Sequence, residues 1–152
     1  MLSSQKAVIK IAERVTHSPE ETVLLGREIA MHLQPPCLVL LEGDLGAGKT
    51  TLVKGIVAGL GTASEDEVTS PSFTFVHEYG SGGKVYHLDL YRVEGARDLA
   101  SLGWEDLSSQ AATVLVEWGE KLGDNPPIPC VKIRMEHLGS DDRRILIERV
   151  EG

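Results

Sequence analysis

Basic residues are scarce in this sequence: 15 lysines and arginines stand against 23 aspartates and glutamates, a formal net charge of −8. Neutralising phosphates supplies most of a nucleic-acid binder's affinity and leaves a basic footprint. The deficit argues against tight direct binding of RNA or DNA, and leaves open only a local patch or contact through a partner. Cysteine is also scarce. Cys37 and Cys130 are the only two, each beside a proline at the edge of an apolar run. There is no C-x-x-C spacing, and the five histidines show no metal-ligand spacing. Two buried free thiols are therefore expected, with no structural metal. Reduced thiols suit a cytoplasmic protein. No apolar run approaches bilayer-spanning length, and the start MLSSQKAVIKIAERV lacks the continuous apolar core of a signal peptide. A cytoplasmic protein with no membrane contact is the expectation. Repeats and credible linkers are absent too, so residues 1–152 read as one domain.

What is present is an ordinary globular balance, 41% apolar and 25% charged. Residues 7–15 alternate partly and read as an edge strand. Ser18-Pro19-Glu20-Glu21 is a capping box with a proline start, and Leu24, Leu25, Ile29 and Leu33 form an apolar stripe, so residues 19–33 read as helix. Residues 37–42 are a continuous apolar run that suits a strand covered on both faces. Residues 50–60 have a helical period, with Gly61 just past the end. Strands are expected over 73–79 and 84–90 with a glycine-rich turn between them, one or two short helices over 94–107, and a buried strand at 113–116. Two more strands follow, near 128–136 and 143–150. The pattern is α/β, a three-layer fold with a mixed central sheet.

Gly43-Asp44-Leu45-Gly46-Ala47-Gly48-Lys49-Thr50 matches G-x-x-x-x-G-K-[ST] without departure. Each part has its own chemistry. Glycines let the backbone curl so that successive N–H groups point at an anion. The helix that opens near Gly48 adds the positive end of its dipole. Lys49 brings a mobile point charge to the β- and γ-phosphates, and Thr50 a hydroxyl for Mg²⁺. The setting is also right: a buried-type strand precedes the motif and an amphipathic helix follows. A triphosphate cradle is therefore expected from Asp44 to Thr51, with Mg²⁺ as the companion ion. No [NT]-K-x-D follows, so the guanine-reading carboxylate is missing and ATP is preferred over GTP. Ser18 and Thr22 precede the cradle and are candidates to line the base pocket; capping alone explains Ser18 equally well.

Mg²⁺ on a nucleotide usually takes a second carboxylate at the end of a neighbouring apolar strand. Glu117, after Val114-Leu115-Val116, has the better run-then-acid pattern and is favoured for the metal. Asp89 is the other candidate, and would then orient water, Mg²⁺ or a loop. Lys49, Asp89 and Glu117 are thus the expected catalytic groups. Ser70, Pro71, Ser72 and Thr74 lie where a γ-phosphate-sensing loop belongs; an ordinary turn entering a strand explains them as well. Trp118 reads as a partner anchor or as packing. Arg92 and Arg97 read either as contacts to phosphate or tRNA or as surface ion pairs, with ion pairs favoured. Arg134, Arg143 and Arg144 read either as a small basic patch or, the favoured reading, as partners of nearby Asp141, Asp142 and Glu148. A structural hydrogen bond is expected for His87.

Together GDLGAGKTT (43–51), SPSFTF (70–75), YHLDLYR (86–92) and VEWGEK (116–121) resemble the bacterial TsaE (YjeE) family, in this order and over nearly the whole chain. The resemblance implies a P-loop NTPase fold, weak intrinsic ATPase activity, and a place in making threonylcarbamoyladenosine in tRNA. It implies partnership with TsaB and TsaD, the latter carrying out carbamoyl transfer, so that tRNA is met through the complex. Lys49, Thr50, Asp89, Glu117 and Trp118 match the family's motif positions. The family usually reads SPT[FY] where this chain has Ser70-Pro71-Ser72-Phe73: the hydroxyl survives and the methyl is lost. Two other classes of function are expected to compete with the ATPase reading. One is a nucleotide-gated binding module whose hydrolysis is incidental. The other is a small-molecule kinase, for which residues 92–107 leave little room for an acceptor pocket and lid.

Overall fold

The structure, a computed structural model, describes residues 7–44, 46–71, 76–80, 85–101, 103, 112–123 and 126–152. Seven strands form one mixed sheet: β1 (Ala7–Thr16), β2 (Cys37–Glu42), β3 (Val76–Tyr79), β4 (Val85–Asp89), β5 (Thr113–Glu117), β6 (Cys130–Gly139) and β7 (Asp142–Glu151), in spatial order β1-β7-β6-β2-β5-β4-β3. β2 runs parallel to β5 on one side and to β6 on the other, and β4 runs parallel to β5. The β1·β7, β6·β7 and β3·β4 pairs are antiparallel. The two unbroken apolar runs, β2 and β5, sit side by side at the centre, where both faces are covered. β1, with its sparse alternation, is an edge strand as expected.

Helices α1 (Pro19–Ala30) and α2 (Lys49–Gly59) cover one face, burying Leu25, Ile29, Leu52, Val53 and Ile56 against Val39, Leu41, Leu115, Ile133 and Ile145. On the other face, Leu38, Leu40, Leu88, Val114 and Val116 lie under Leu90, Val93, Trp118, Leu122 and Ile128. This third layer includes the short 3-10 turn Gly119–Leu122. A further short helix, α3, spans Ala96–Ser101.

The structure corrects several expected boundaries. α1 ends at Ala30, three residues early, where Met31 caps it. Leu24 is 63% exposed, and the stripe that faces α2 and the sheet is Thr22, Leu25, Gly26, Ile29 and Ala30. A helical period identifies a face only to within about one residue, and two adjacent leucines cannot both point inward. Ser18 does cap the helix, accepting from Glu21 N at 3.0 Å. α2 begins one residue early, at Lys49. The β6–β7 hairpin is longer than expected, because a two-residue turn with Ser140 at φ 49° lets the ladder close at Gly139 and Asp142. The expected strand residues 73–75 and 84, and most of the expected helical residues beyond 101, lie outside the described residues.

α1 and α2 approach backbone to backbone. A Cβ added to Gly55 would stand 2.0 Å from the Val23 carbonyl oxygen, and one on Gly26 2.5 Å from that of Leu52. Both cysteines are free thiols. Burial pushes Cys37 above its usual range.

Candidate functional site

The central parallel strands end together. β2 runs out at Glu42, and the register of β4 with β5 brings Asp89 level with Glu117. Between β2 and α2 the chain turns through Gly43 (φ 150°), Gly46 (φ 81°) and Gly48 (φ 98°), conformations that L side chains rarely adopt. Gly43 has a second constraint: a Cβ there would lie 2.5 Å from Met135 O. The result is a cleft of about 500 Å³ lined by Gly46, Gly48, Lys49, Thr50, Thr51, Ser70, Asp89, Tyr91, Arg92, Glu117, Trp118 and Arg143.

Lys49 opens α2 and is 5% exposed. Its Nζ donates to the carbonyl oxygens of Gly43 and, at 2.9 Å, of Asp44. The Trp118 ring covers it, with its centroid 4.0 Å from Nζ, a cation–π contact. Burial holds the ammonium below the usual lysine range, against the opposing pull of Glu117, Glu120, Asp89 and Asp44. Trp118 adopts φ 61°, ψ 43°, which for a bulky residue costs on the order of 1–3 kcal/mol. That backbone aims the indole across the lysine and against Tyr91, ring centroids 4.9 Å apart.

Thr50 Oγ1 donates to Glu117, 2.9 Å from Oε1 and 2.8 Å from Oε2. Glu117 is buried, and its Oε2 also meets His87 Nε2 at 2.5 Å. Asp89 uses both oxygens: Oδ2 accepts from Ser70 Oγ at 2.8 Å and Oδ1 from Tyr91 N at 2.9 Å. It therefore ties the loop after α2 to the turn after β4. Pro71 is buried beside Ser70, while Ser72 and Thr74 lie outside the described residues, as does Leu45.

The remaining expected residues fall around this centre. Ala47 is buried and donates its N–H to Asp44 O. Thr22 and Thr51 share a small cavity of about 30 Å³ with Pro19, Gly48, Asp141 and Arg143, beside the cradle. The Thr22 hydroxyl is bonded to Thr16 Oγ1 (2.7 Å) and Ser18 O (3.3 Å), and Ser18 Oγ serves the helix cap. Glu120 accepts from Gly43 N at 3.2 Å.

Sequence reasoning missed Arg143. Grouped with Arg134 and Arg144 as a balanced surface cation, it instead crosses the cradle from the start of β7 and donates to Gly46 O at 3.1 Å. Arg134 and Arg144 do meet acids, Glu42 and Glu148 for the first, Glu13 and Glu136 for the second. Nothing local marks Arg143; the length of the β6–β7 hairpin puts it there. Tyr91 was also missed as a cleft residue, although it adjoins the YHLD strand end that carries Asp89; Arg92, for which phosphate contact was one of two readings, lines the same cleft.

A glycine-turned loop at the carboxyl end of central parallel strands, leading into a helix packed on the same sheet, defines the P-loop NTPase fold. The model of the family described as "Threonylcarbamoyl adenosine biosynthesis protein TsaE" matches residues 16–145. The tRNA threonylcarbamoyladenosine biosynthesis protein TsaE of Bacillus subtilis is 37% identical over 136 residues, covering 89% of this chain and 84% of that protein. Its counterpart in Treponema pallidum is 32% identical over 133 residues, covering 88% and 97%. A crystal structure of Bacillus subtilis YdiB superposes with a TM-score of 0.70 at 31% identity, covering 97% of this chain and 88% of that one. The chain belongs to the TsaE family of tRNA threonylcarbamoyladenosine biosynthesis.

Proposed function

We propose that this chain is the ATP-binding and ATP-hydrolysing subunit of tRNA threonylcarbamoyladenosine synthesis, acting in the cytoplasm with TsaB and TsaD. The observation that carries the reading is the Thr50–Glu117 contact beside the buried Lys49, at the mouth of a glycine-turned cradle. A hydroxyl and a carboxylate side by side are the hard oxygen donors that Mg²⁺ takes, so the residues present fit that ion. Bound with the nucleotide, Mg²⁺ supplies charge neutralisation on the phosphate oxygens. Lys49 is the cation for the β- and γ-phosphates, and the cradle N–H groups and the α2 dipole receive the rest. Asp89 positions Ser70 and Tyr91, so it couples the loop at 62–71 to the cleft. Tyr91, Arg92 and Trp118 stand at the cleft, with Tyr91 48% exposed, and would meet the partners there. The chain's net charge of −8 favours contact with tRNA through the complex.

A second reading has an observation of its own. Lys49, Thr50 and Asp89 are all satisfied by other parts of the protein, an arrangement suited to slow turnover and to a nucleotide-gated binding module. Calorimetry with ATP and Mg²⁺ tests the site. Lys49→Ala should lower affinity by about 10- to 100-fold, the worth of a charge-assisted contact; unchanged affinity would refute it. Modification of tRNA in a mixture with TsaB and TsaD, with and without this chain, separates the two readings. If non-hydrolysable ATP analogues sustain repeated cycles, the module reading holds.

A further inference from the structure

His87 lies on β4, wholly buried beneath the cleft. In the register of β4 with β5 it stands level with Leu115, two residues before the Asp89–Glu117 pair. From there the ring reaches diagonally to Glu117, placing Nε2 2.5 Å from Oε2. The rings of His77 and Tyr79 on β3 flank it, with centroids 6.3 and 6.4 Å away. Its other nitrogen, Nδ1, is shut off from solvent and has no hydrogen-bond partner among the described residues.

These contacts assign the ring hydrogen. A carboxylate oxygen is an acceptor, so the nitrogen facing it must donate. No acceptor stands at Nδ1 among the described residues to hold a hydrogen there, and a buried N–H without one is costly. The donor is therefore Nε2–H. Its effect on Glu117 follows from the Thr50 contact, which is nearly symmetric between the two oxygens and so distinguishes neither. His87 alone of these partners distinguishes them, by holding Oε2 from below.

We propose that His87 is a positioning residue: its Nε2–H fixes the rotamer in which the Glu117 carboxylate meets Thr50 and the metal accompanying the nucleotide. The inference rests on the Mg²⁺–nucleotide reading above. A hydrogen bond of this kind to a ligating carboxylate is worth about 10- to 100-fold in metal affinity.

The test uses the full chain, a fluorescent ATP analogue and a Mg²⁺ titration. His87→Phe fills the site without a donor; His87→Gln returns an N–H near the position of Nε2. In His87→Phe the Mg²⁺ concentration needed for half-maximal enhancement of nucleotide binding should rise about tenfold or more, while binding in EDTA changes less than about twofold. His87→Gln should recover most of the loss. A half-saturation within about twofold of the parent, or a loss that appears equally in EDTA, overturns the proposal. Should His87→Phe not fold, the ¹⁵N imidazole spectrum of the unaltered protein decides: protonated Nε2 with bare Nδ1 supports the assignment, and a hydrogen on Nδ1 alone overturns it. Failure of the unaltered protein to bind nucleotide at all would sink the Mg²⁺–nucleotide reading instead, and the spectrum would still judge the hydrogen bond.

Discussion

Replacing Gly55 by alanine should damage this protein although the residue does not line the cleft. Alanine is the better helix former by about 1 kcal/mol, so α2 considered in isolation should gain. The new Cβ would sit 2.0 Å from Val23 O, 2.9 Å from the Val23 carbonyl carbon and 3.0 Å from Gly26 Cα. All three obstacles are backbone, so no side chain can turn aside. The helices must part by roughly 1 Å, and a gap of that size forfeits up to about half of the attraction across the contact. Over-packing of this kind costs about 3 kcal/mol; set against the propensity gain, about 2 kcal/mol of net stability is lost. For a chain of this size the midpoint of thermal unfolding should fall by about 4–8 °C. Because α2 begins with Lys49 and Thr50, ATP affinity should fall as well. Thermal and urea unfolding measure the first effect and calorimetry the second. Gly95→Ala is the control: its Cβ meets nothing within 4 Å among the described residues, and the change should stay within about 0.5 kcal/mol. A Gly55→Ala protein that melts at or above the parent temperature would refute the packing argument.

On the proposed reading, Lys49 should make nucleotide binding pH-dependent. Burial lowers its folded pKa, so between that value and the ordinary lysine range the unfolded chain holds more protons than the folded one, and this group's contribution to stability rises with pH. A triphosphate favours the ammonium and raises the pKa again, so binding takes up protons in the alkaline range and affinity falls as pH rises through the free protein's Lys49 pKa. Calorimetry in buffers of different ionisation enthalpy reads the uptake directly; an enthalpy independent of buffer in that range contradicts it. Asp89→Asn retains the shape but gives up charge and one acceptor, loosening Ser70 or Tyr91. Modification with TsaB and TsaD should fall by about tenfold while ATP affinity changes less than about threefold, the pattern of a lost positioning contact. Equal losses in both assays would place Asp89 on the nucleotide itself.

The features legible in the sequence were those in which a local pattern has one physical solution. A continuous apolar run such as Leu38–Leu41 has to be covered on both faces, and β2 duly lies at the centre of the sheet. Three glycines around a lysine and a threonine allow few backbone paths, and the positive φ angles of Gly43, Gly46 and Gly48 follow. Asp89 and Glu117 were each legible as a candidate acid near a strand end, but the register that brings them level came only with the fold. What stayed hidden depends on long-range placement. Leu24 and Leu25 are equivalent to a periodicity count, and only the site of contact with α2 separates them. Arg143 is one of two adjacent arginines, and the parity of a hairpin that closes more tightly than expected sends one to the cradle and the other to Glu136. The His87–Glu117 contact needs two strands in register before it exists at all.

The cleft answers its own polar groups. Lys49 is bonded to cradle carbonyls, Gly43 N to Glu120, Thr50 to Glu117, and Asp89 to Ser70 and Tyr91. On the proposed reading an incoming triphosphate would exchange hydrogen bonds rather than add them, and its affinity would be the difference between two well-satisfied states. On the same reading, loosening the contacts that hold Lys49 should raise affinity without touching the nucleotide. Trp118 is the place where that leverage is greatest, because the indole lies on the lysine. A partner that engaged it would strengthen nucleotide binding, and by thermodynamic reciprocity the nucleotide would strengthen that partner's binding by the same factor. On this view the strained backbone of Trp118 has a use. It holds an aromatic cover over the charge in the free protein, in a conformation that a partner or a phosphate can afford to release.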